Sequence, residues 1–320
     1  MSSQTIGIDV GGTKVLGGVI DERGKVLASV RMDTPHRSTS PAVVEDTIVA
    51  AINELSPRQS ITAVGVGAAG FVDKGGAIVR FSPHLSWRDE PLKDALAKRL
   101  DLPVLVDNDA NTTAWAEVRF GAGREGTQVL CITMGTGIGG ALVVNDQVYR
   151  GANGMAGEFG HMQVVPDGRR CECGNRGCWE QYSSGNALVR EARELVDAKS
   201  PVAHRLREFV QDDPTKLTGQ VVMEAAREGD AVAIELFEEI GGWLGTGLAN
   251  LTAAFDPDLI IIGGGVSEAG ELLLEPARGA LRRTLTGRGF RPEPTVVKAA
   301  LGQDAGFVGA ADLARLTFQD

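Results

Sequence analysis

The feature that most restricts how this chain can fold is a pattern that occurs twice. Residues 5–10 read as a buried apolar strand, Gly11-Gly12-Thr13-Lys14 bends the chain, residues 15–20 return as a second strand, and Asp21-Glu22-Arg23-Gly24 turns it into a third over 25–32. Residues 129–134, the bend Gly135-Thr136-Gly137-Ile138-Gly139-Gly140 and residues 141–144 repeat it, with Asn145-Asp146 as the second turn. One copy at the head of each half predicts two related α/β domains facing each other across a cleft. A length of 320 residues also exceeds one usual core. The expected division is a small domain of residues 1–109 plus about 307–320, and a larger one of 110–306 carrying the cysteine-rich and helical segments.

A bend of this kind aims backbone N–H groups outward, and such a concavity holds phosphate oxygens; glycine keeps any Cβ out of the anion's way. An ordinary glycine-rich hairpin looks the same from the residues alone. Gly135-x-Gly137-x-x-Gly140 also spells the dinucleotide fingerprint, but a strand pattern follows it where that fingerprint must open a helix. The Walker pattern G-x-x-x-x-G-K-[ST] does not occur. Asp9, ending the first strand, is a candidate for holding Mg²⁺ through water, and Lys14 for touching phosphate or simply starting the next strand.

Between the two copies the pattern predicts a helix over 41–55, a strand over 63–66 that ends in Gly67-Ala68-Ala69-Gly70, a loop over 81–87, a helix over 91–100 and a strand over 103–106. In the loop, Trp87 either covers a site or plugs a core gap. The last strand runs into Asp107-Asn108-Asp109-Ala110-Asn111 and a helix over 110–120. A carboxylate at the carboxyl end of a strand is where α/β sheets place ligands, which makes Asp109 a candidate general base; helix capping by Asn108 or Asp109 is the alternative, and both roles are compatible. The helix N-terminus is expected to keep Asp109 ionised. Cys131 reads as a small core residue. After residue 184 the chain turns helical, with a buried strand over 259–262, the run Gly263-Gly264-Gly265, and a strand over 295–298 followed by a final helix.

Three of the four cysteines, Cys171, Cys173 and Cys178, are spaced C-x-C-x4-C downstream of His161. One imidazole and three thiolates make a closed tetrahedral shell for Zn²⁺, with Zn–S distances of roughly 2.3 Å, and a closed shell implies a structural ion. A disulfide would leave one thiol over. Gly174 and Gly177 supply the positive φ angles of a tight wrap. Glu158 and Glu180 bracket this set, and paired carboxylates accept short hydrogen bonds from a hydroxyl-rich ligand such as a sugar; solvated surface acids are the alternative. The metal would act at second hand, fixing the orientation of His161.

The balance of 32 basic against 42 acidic residues, net −10 with no basic block, argues against nucleic acid or an anionic membrane as partner and favours small molecules. The first residues have neither a basic nor a long apolar region, and no apolar run approaches 18 residues, so a cytoplasmic protein is expected.

In order, Asp-x-Gly-Gly-Thr from Asp9, Asn-Asp-Ala-Asn from Asn108, Glu-x-Gly-His from Glu158, C-x-C-G-x-x-G-C from Cys171 and Trp-Glu-x-Tyr-x-Ser-Gly from Trp179 resemble the ROK family of sugar kinases and repressors, specifically its ATP-dependent glucokinases. The likeness spans nearly the whole chain. It implies a two-domain, actin-like ATPase (ribonuclease H-like) α/β fold with a structural zinc knuckle, and transfer of the ATP γ-phosphoryl group to the 6-hydroxyl of glucose. It implies a sugar held by Asn108, Asp109, Glu158, His161 and Glu180 with Gly70 nearby, Asp109 as base, and His161, Cys171, Cys173 and Cys178 as zinc ligands. Gly11, Gly12, Thr13, Gly135, Thr136 and Gly137 would surround the ATP phosphates, with Gly263, Gly264 and Gly265 by the adenosine. A homodimer or homotetramer is also implied. His84 departs from the asparagine expected in many relatives, so a sugar contact by its loop does not carry over. The rivals are a kinase for N-acetylmannosamine or N-acetylglucosamine and a sugar-responsive repressor; the first strand begins near residue 5, which is expected to leave no room for a DNA-binding domain.

Overall fold

Strands that read as nearly continuous apolar runs do so because both faces of their sheet are covered. The computed structural model describes residues 4–36, 39–56 and 61–318; residues 1–3, part of the first stretch with neither a basic nor a long apolar region, lie outside them. β1 (Gln4–Val10), β2 (Lys14–Ile20) and β3 (Val26–Asp33) run antiparallel, and after α1 (Pro41–Leu55) the chain returns as β4 (Ile61–Ala68), parallel to β1. Three short strands follow, β5 (Phe71–Val72), β6 (Val79–Phe81) and β7 (Arg88–Glu90), as a small antiparallel sheet. α2 (Leu92–Ala97), β8 (Val104–Asn108) and α3 (Asp109–Phe120) complete this stretch. The first large sheet has the order β3-β2-β1-β4-β8.

Ile6, Ile8 and Val10 of β1 pack with Val44, Ile48 and Ile52 of α1 and Leu92 and Leu96 of α2 on one face. Trp87 is fully buried in the same core, which settles its role as a plug. The other face meets the last helix so closely that a Cβ on Gly7 would lie 1.7 Å from the Phe307 carbonyl oxygen, and one on Gly65 1.8 Å from that of Ala310.

The second copy of the pattern is β9 (Gln128–Met134), β10 (Ile138–Val144) and β11 (Gln147–Val148). A strand therefore follows the G-x-G-x-x-G run, as its apolar residues require. Cys131 is buried within β9. Beyond the cysteine-rich segment come α4 (Gly185–Asp197), α5 (His204–Phe209), α6 (Gly219–Arg227) and α7 (Ala231–Phe255). They are followed by β12 (Leu259–Gly263), α8 (Glu271–Thr284), β13 (Thr295–Lys298) and α9 (Ala305–Phe318). The second large sheet has the order β11-β10-β9-β12-β13, the order of the first with β12 and β13 in place of β4 and β8. The chain forms two compact units. One runs up to Cys131 and takes in Ala141–Gly157 and the segment from Ala300 onward; the other is Ile132–Gly140 with Glu158–Ala299.

Candidate functional site

In the first unit the strand register brings the acidic residues to one edge. Asp9, Gly67 and Asp107 stand side by side across β1, β4 and β8, and Val10, Ala68 and Asn108 form the next row. Asn108 caps α3, its Oδ1 accepting from the amides of Ala110 and Asn111 at 2.9 and 3.1 Å, while its Nδ2 donates to the Gly70 carbonyl at 3.0 Å. Gly70 has φ +146°, and a Cβ there would sit 2.5 Å from the Phe81 carbonyl oxygen. Only glycine fits.

Asp109 opens α3 and accepts from the Ala110 amide at 3.0 Å. Burial nevertheless pushes its carboxyl up to about 6, outweighing the lowering pull of that amide and of Asn108. The helix terminus thus acts more weakly than the sequence suggests, although a group of this pKa is still mostly ionised at neutral pH. Asp9 is pushed up to about 7 by burial and then by the charge of Asp109, with Lys14 pulling the other way. A buried carboxyl that a neighbouring acid's charge keeps from ionising has the chemistry to hold a divalent cation, which keeps Asp9 a candidate for Mg²⁺. Beside them the first bend is closed by Gly11 N–H donating to the Lys14 carbonyl at 3.0 Å and Thr34 Oγ1 donating to the Gly11 carbonyl at 2.7 Å. Gly12 and Thr13 are exposed, and the loop holding His84 lies against Gly12, where a Cβ would be 2.8 Å from the histidine Cβ. Lys14 donates from Nζ to Gln303 Oε1 at 2.7 Å.

In the second unit, Gly135 N–H donates to the Gly137 carbonyl at 3.0 Å, leaving Gly135 and Thr136 exposed. Gly264, with φ +82°, lies on the end of β9, where a Cβ would meet the Met134 carbonyl oxygen at 2.4 Å. That puts Gly263-Gly264-Gly265 directly beside the bend. The ligand atoms of His161, Cys171, Cys173 and Cys178 all lie within 4.8 Å of one another. Cys173 and Cys178 Sγ are 3.6 Å apart and Cys171 Sγ is 3.7 Å from His161 Nδ1, so the thiols are free and not disulfide-bonded. Burial, with the nearby Glu180 charge adding to it, holds the Cys171 and Cys178 thiols above their ordinary value. A soft dication among four such donors would reverse that, so the set fits Zn²⁺. Glu180 Oε1 is 3.5 Å from His161 Nδ1, and Glu158 Oε2 is 3.9 Å from Nε2. Both acids that bracket the cysteines therefore flank one imidazole.

Three residues that support the acidic edge, Asp107, Asn111 and Arg150, are not among the site residues expected from the sequence. Asp107 is buried; its Oδ1 accepts from Asn108 N–H and Asn111 Nδ2 at 2.8 and 2.9 Å, and its Oδ2 from Arg150 Nε and Nη2 at 2.9 and 2.5 Å. This network supports the turn that presents Asn108 and Asp109. Asp107 and Asn111 stand in the motif itself, but nothing local points to Arg150.

A family model described as ROK family matches residues 5–316. The chain belongs to the ROK family. Among ROK relatives, the glucokinase of Streptomyces coelicolor is 45% identical over 311 residues, spanning 97% of each chain. The crystal structure of a ROK family glucokinase from Streptomyces griseus, in complex with glucose and AMPPNP, matches with TM-score 0.91 and 48% identity over 98% of this chain and 100% of that one. A ROK hexokinase from Thermus thermophilus matches with TM-score 0.76 and 30% identity over 98% of each chain. The α/β fold read from the duplicated pattern is that of these ROK kinases.

Proposed function

We propose that this ROK chain is an ATP-dependent glucokinase, transferring the γ-phosphoryl group of ATP to the 6-hydroxyl of glucose. The observation that carries the reading is Asp109, a carboxyl at the end of β8 whose pKa of about 6 suits a base working near neutral pH. The likeness to glucokinases at 45% and 48% identity supports the choice of sugar. Asn108, Asp109, Glu158, His161 and Glu180 would hold the sugar, with the Gly70 backbone beside it. Gly11, Gly12, Thr13, Gly135, Thr136 and Gly137, with Lys14 at the end of the first bend, would surround the phosphates, the N–H groups of Gly11 and Gly135 closing the two bends. Gly263, Gly264 and Gly265 would lie along the nucleoside.

In the reaction Asp109 accepts the proton of the 6-hydroxyl as its oxygen attacks the γ-phosphorus in line; the bond to the β–γ bridging oxygen breaks and ADP leaves. Phosphoryl transfer depends on placement and charge neutralisation more than on covalent help, which is the part the glycine bends play. Mg²⁺ held through water by Asp9 would supply charge neutralisation at the phosphates, and Zn²⁺ on His161, Cys171, Cys173 and Cys178 would supply rigidity. His161 Nδ1 is the nitrogen on the thiol side, leaving Nε2 toward Glu158. The same reading takes in a cytoplasmic homodimer or homotetramer, checked by sedimentation.

The test is ADP release measured across glucose, mannose, fructose, N-acetylglucosamine and N-acetylmannosamine, with wild type and Asp109→Asn. Glucose should be used best, and Asp109→Asn should bind glucose yet lose turnover by about 10²- to 10⁴-fold. Near-normal turnover in the variant would remove Asp109 from its role, and preference for an N-acetylhexosamine would reassign the substrate.

A further inference from the structure

The last thiol of the knuckle, Cys178, leads straight into a stretch of chain that is held hard on one side and presses on the second glycine bend on the other. Trp179 is fully buried: its N–H donates to the Met162 carbonyl at 2.8 Å, and its indole Nε1 to the Trp243 carbonyl of α7 at 2.8 Å. The ring lies so close to α7 that a Cβ on Gly247 would be 2.1 Å from it. Ser183 Oγ donates to the Ile240 carbonyl at 2.8 Å. From this anchored stretch, Gly185 N–H donates to the Gly135 carbonyl at 2.9 Å and Asn186 N–H to the Thr136 carbonyl at 3.2 Å. Glu180 Oε2 accepts from Ile138 N–H at 3.4 Å and lies where a Cβ on Gly137 would be 2.4 Å away.

These bonds have a directional consequence. In a trans peptide the carbonyl and the next N–H point opposite ways, so tying the carbonyls of Gly135 and Thr136 to α4 turns the N–H groups of Thr136 and Gly137 away from it. A bend containing two glycines has little conformational preference of its own, and its shape has to be imposed by neighbours. We propose that Trp179–Asn186 is a brace through which the metal-binding knuckle sets the shape of the Gly135-Thr136-Gly137 bend, so that nucleotide affinity depends on the knuckle even with no sugar bound. The proposal rests on the reading of that bend as a phosphate site and goes beyond it: the knuckle serves both substrates, and Gly185 and Asn186 are positioning residues.

The experiment is calorimetric titration of ADP into the full-length protein without sugar, comparing metal-loaded wild type, chelator-stripped wild type and metal-loaded Gly185→Ala. A Cβ at residue 185 would meet the Gly135 carbonyl oxygen at 2.7 Å and Val266 Cγ2 at 3.4 Å, displacing the bend without touching the thiols or His161. Gly185→Ala should keep wild-type metal content and glucose affinity while ADP affinity falls about tenfold, and stripped wild type should lose ADP affinity to a similar degree. Circular dichroism reports whether each form is folded. Asn186→Pro, which deletes one of the two amide donors in the first turn of a helix where proline is tolerated, decides the matter if either of the others unfolds. ADP affinity within about twofold of wild type in the folded forms would overturn the brace. A wild type that binds glucose but no ADP would overturn the phosphate reading of the bend itself, a separate failure.

Discussion

Asp109 carries two opposing effects, and their difference gives a measurable signature. Burial raises its pKa while the first turn of α3 and Asn108 lower it, and burial wins. A base must be ionised, so kcat/KM for glucose should fall about tenfold per pH unit below about 6 and level off above it, and Asp109→Asn should lose that limb along with its turnover. Asp9 shows the same effect in stability. Its carboxyl, pushed up to about 7 in the folded chain, is protonated there at pH values where the unfolded chain has already released the proton. The folded state therefore binds more protons between the ordinary carboxylate range and about 7, and the stability of the ligand-free protein falls as pH rises through that window. Asp9→Asn should raise the melting temperature at pH 8 and leave it nearly unchanged at pH 4, measured without Mg²⁺ or nucleotide.

Elements are held in place by approaches that leave no room for side chains. α9 lies directly on the backbones of β1 and β4 because Gly7 and Gly65 have no Cβ, and α9 in turn meets α3 where a Cβ on Gly309 would be 1.7 Å from the Thr112 carbonyl oxygen. Gly7→Ala should therefore cost more than about 3 kcal/mol in urea denaturation, since the helix cannot withdraw without breaking the core containing Phe307 and Val308. The Asp107–Arg150 pair ties the end of β8 to the segment just after β11. Asp107 is nearly closed to solvent, and Arg150→Met would leave it with the Asn108 and Asn111 donors but no cation, at about 2 kcal/mol of stability. The element the sequence conceals is the sheet of β5, β6 and β7: strands of two or three residues show no period, and the stretch from Phe81 to Trp87 reads as a loop.

For the molecule as a whole the knuckle is the feature that joins distant parts of the second unit. Cys171→Ser should lower metal content by elemental analysis and weaken glucose binding, because His161 loses a fixed neighbour on its Nδ1 side; wild-type glucose affinity in the metal-free variant would contradict that. The duplicated strand pattern, the glycine bends, the place of Asp109 just past β8 and the closeness of His161 to the three cysteines were legible in the amino-acid sequence, because periodicity, glycine runs and donor spacing are local and survive without coordinates. What only the tertiary structure decided is how these parts act on one another. Trp87 went to the core, Lys14 to Gln303, Arg150 to Asp107, and Glu180 to the backbone beside Gly137 as well as to His161. Each of those partnerships joins residues that no local pattern pairs, and the pKa values of Asp9 and Asp109 depend on burial that folding alone creates.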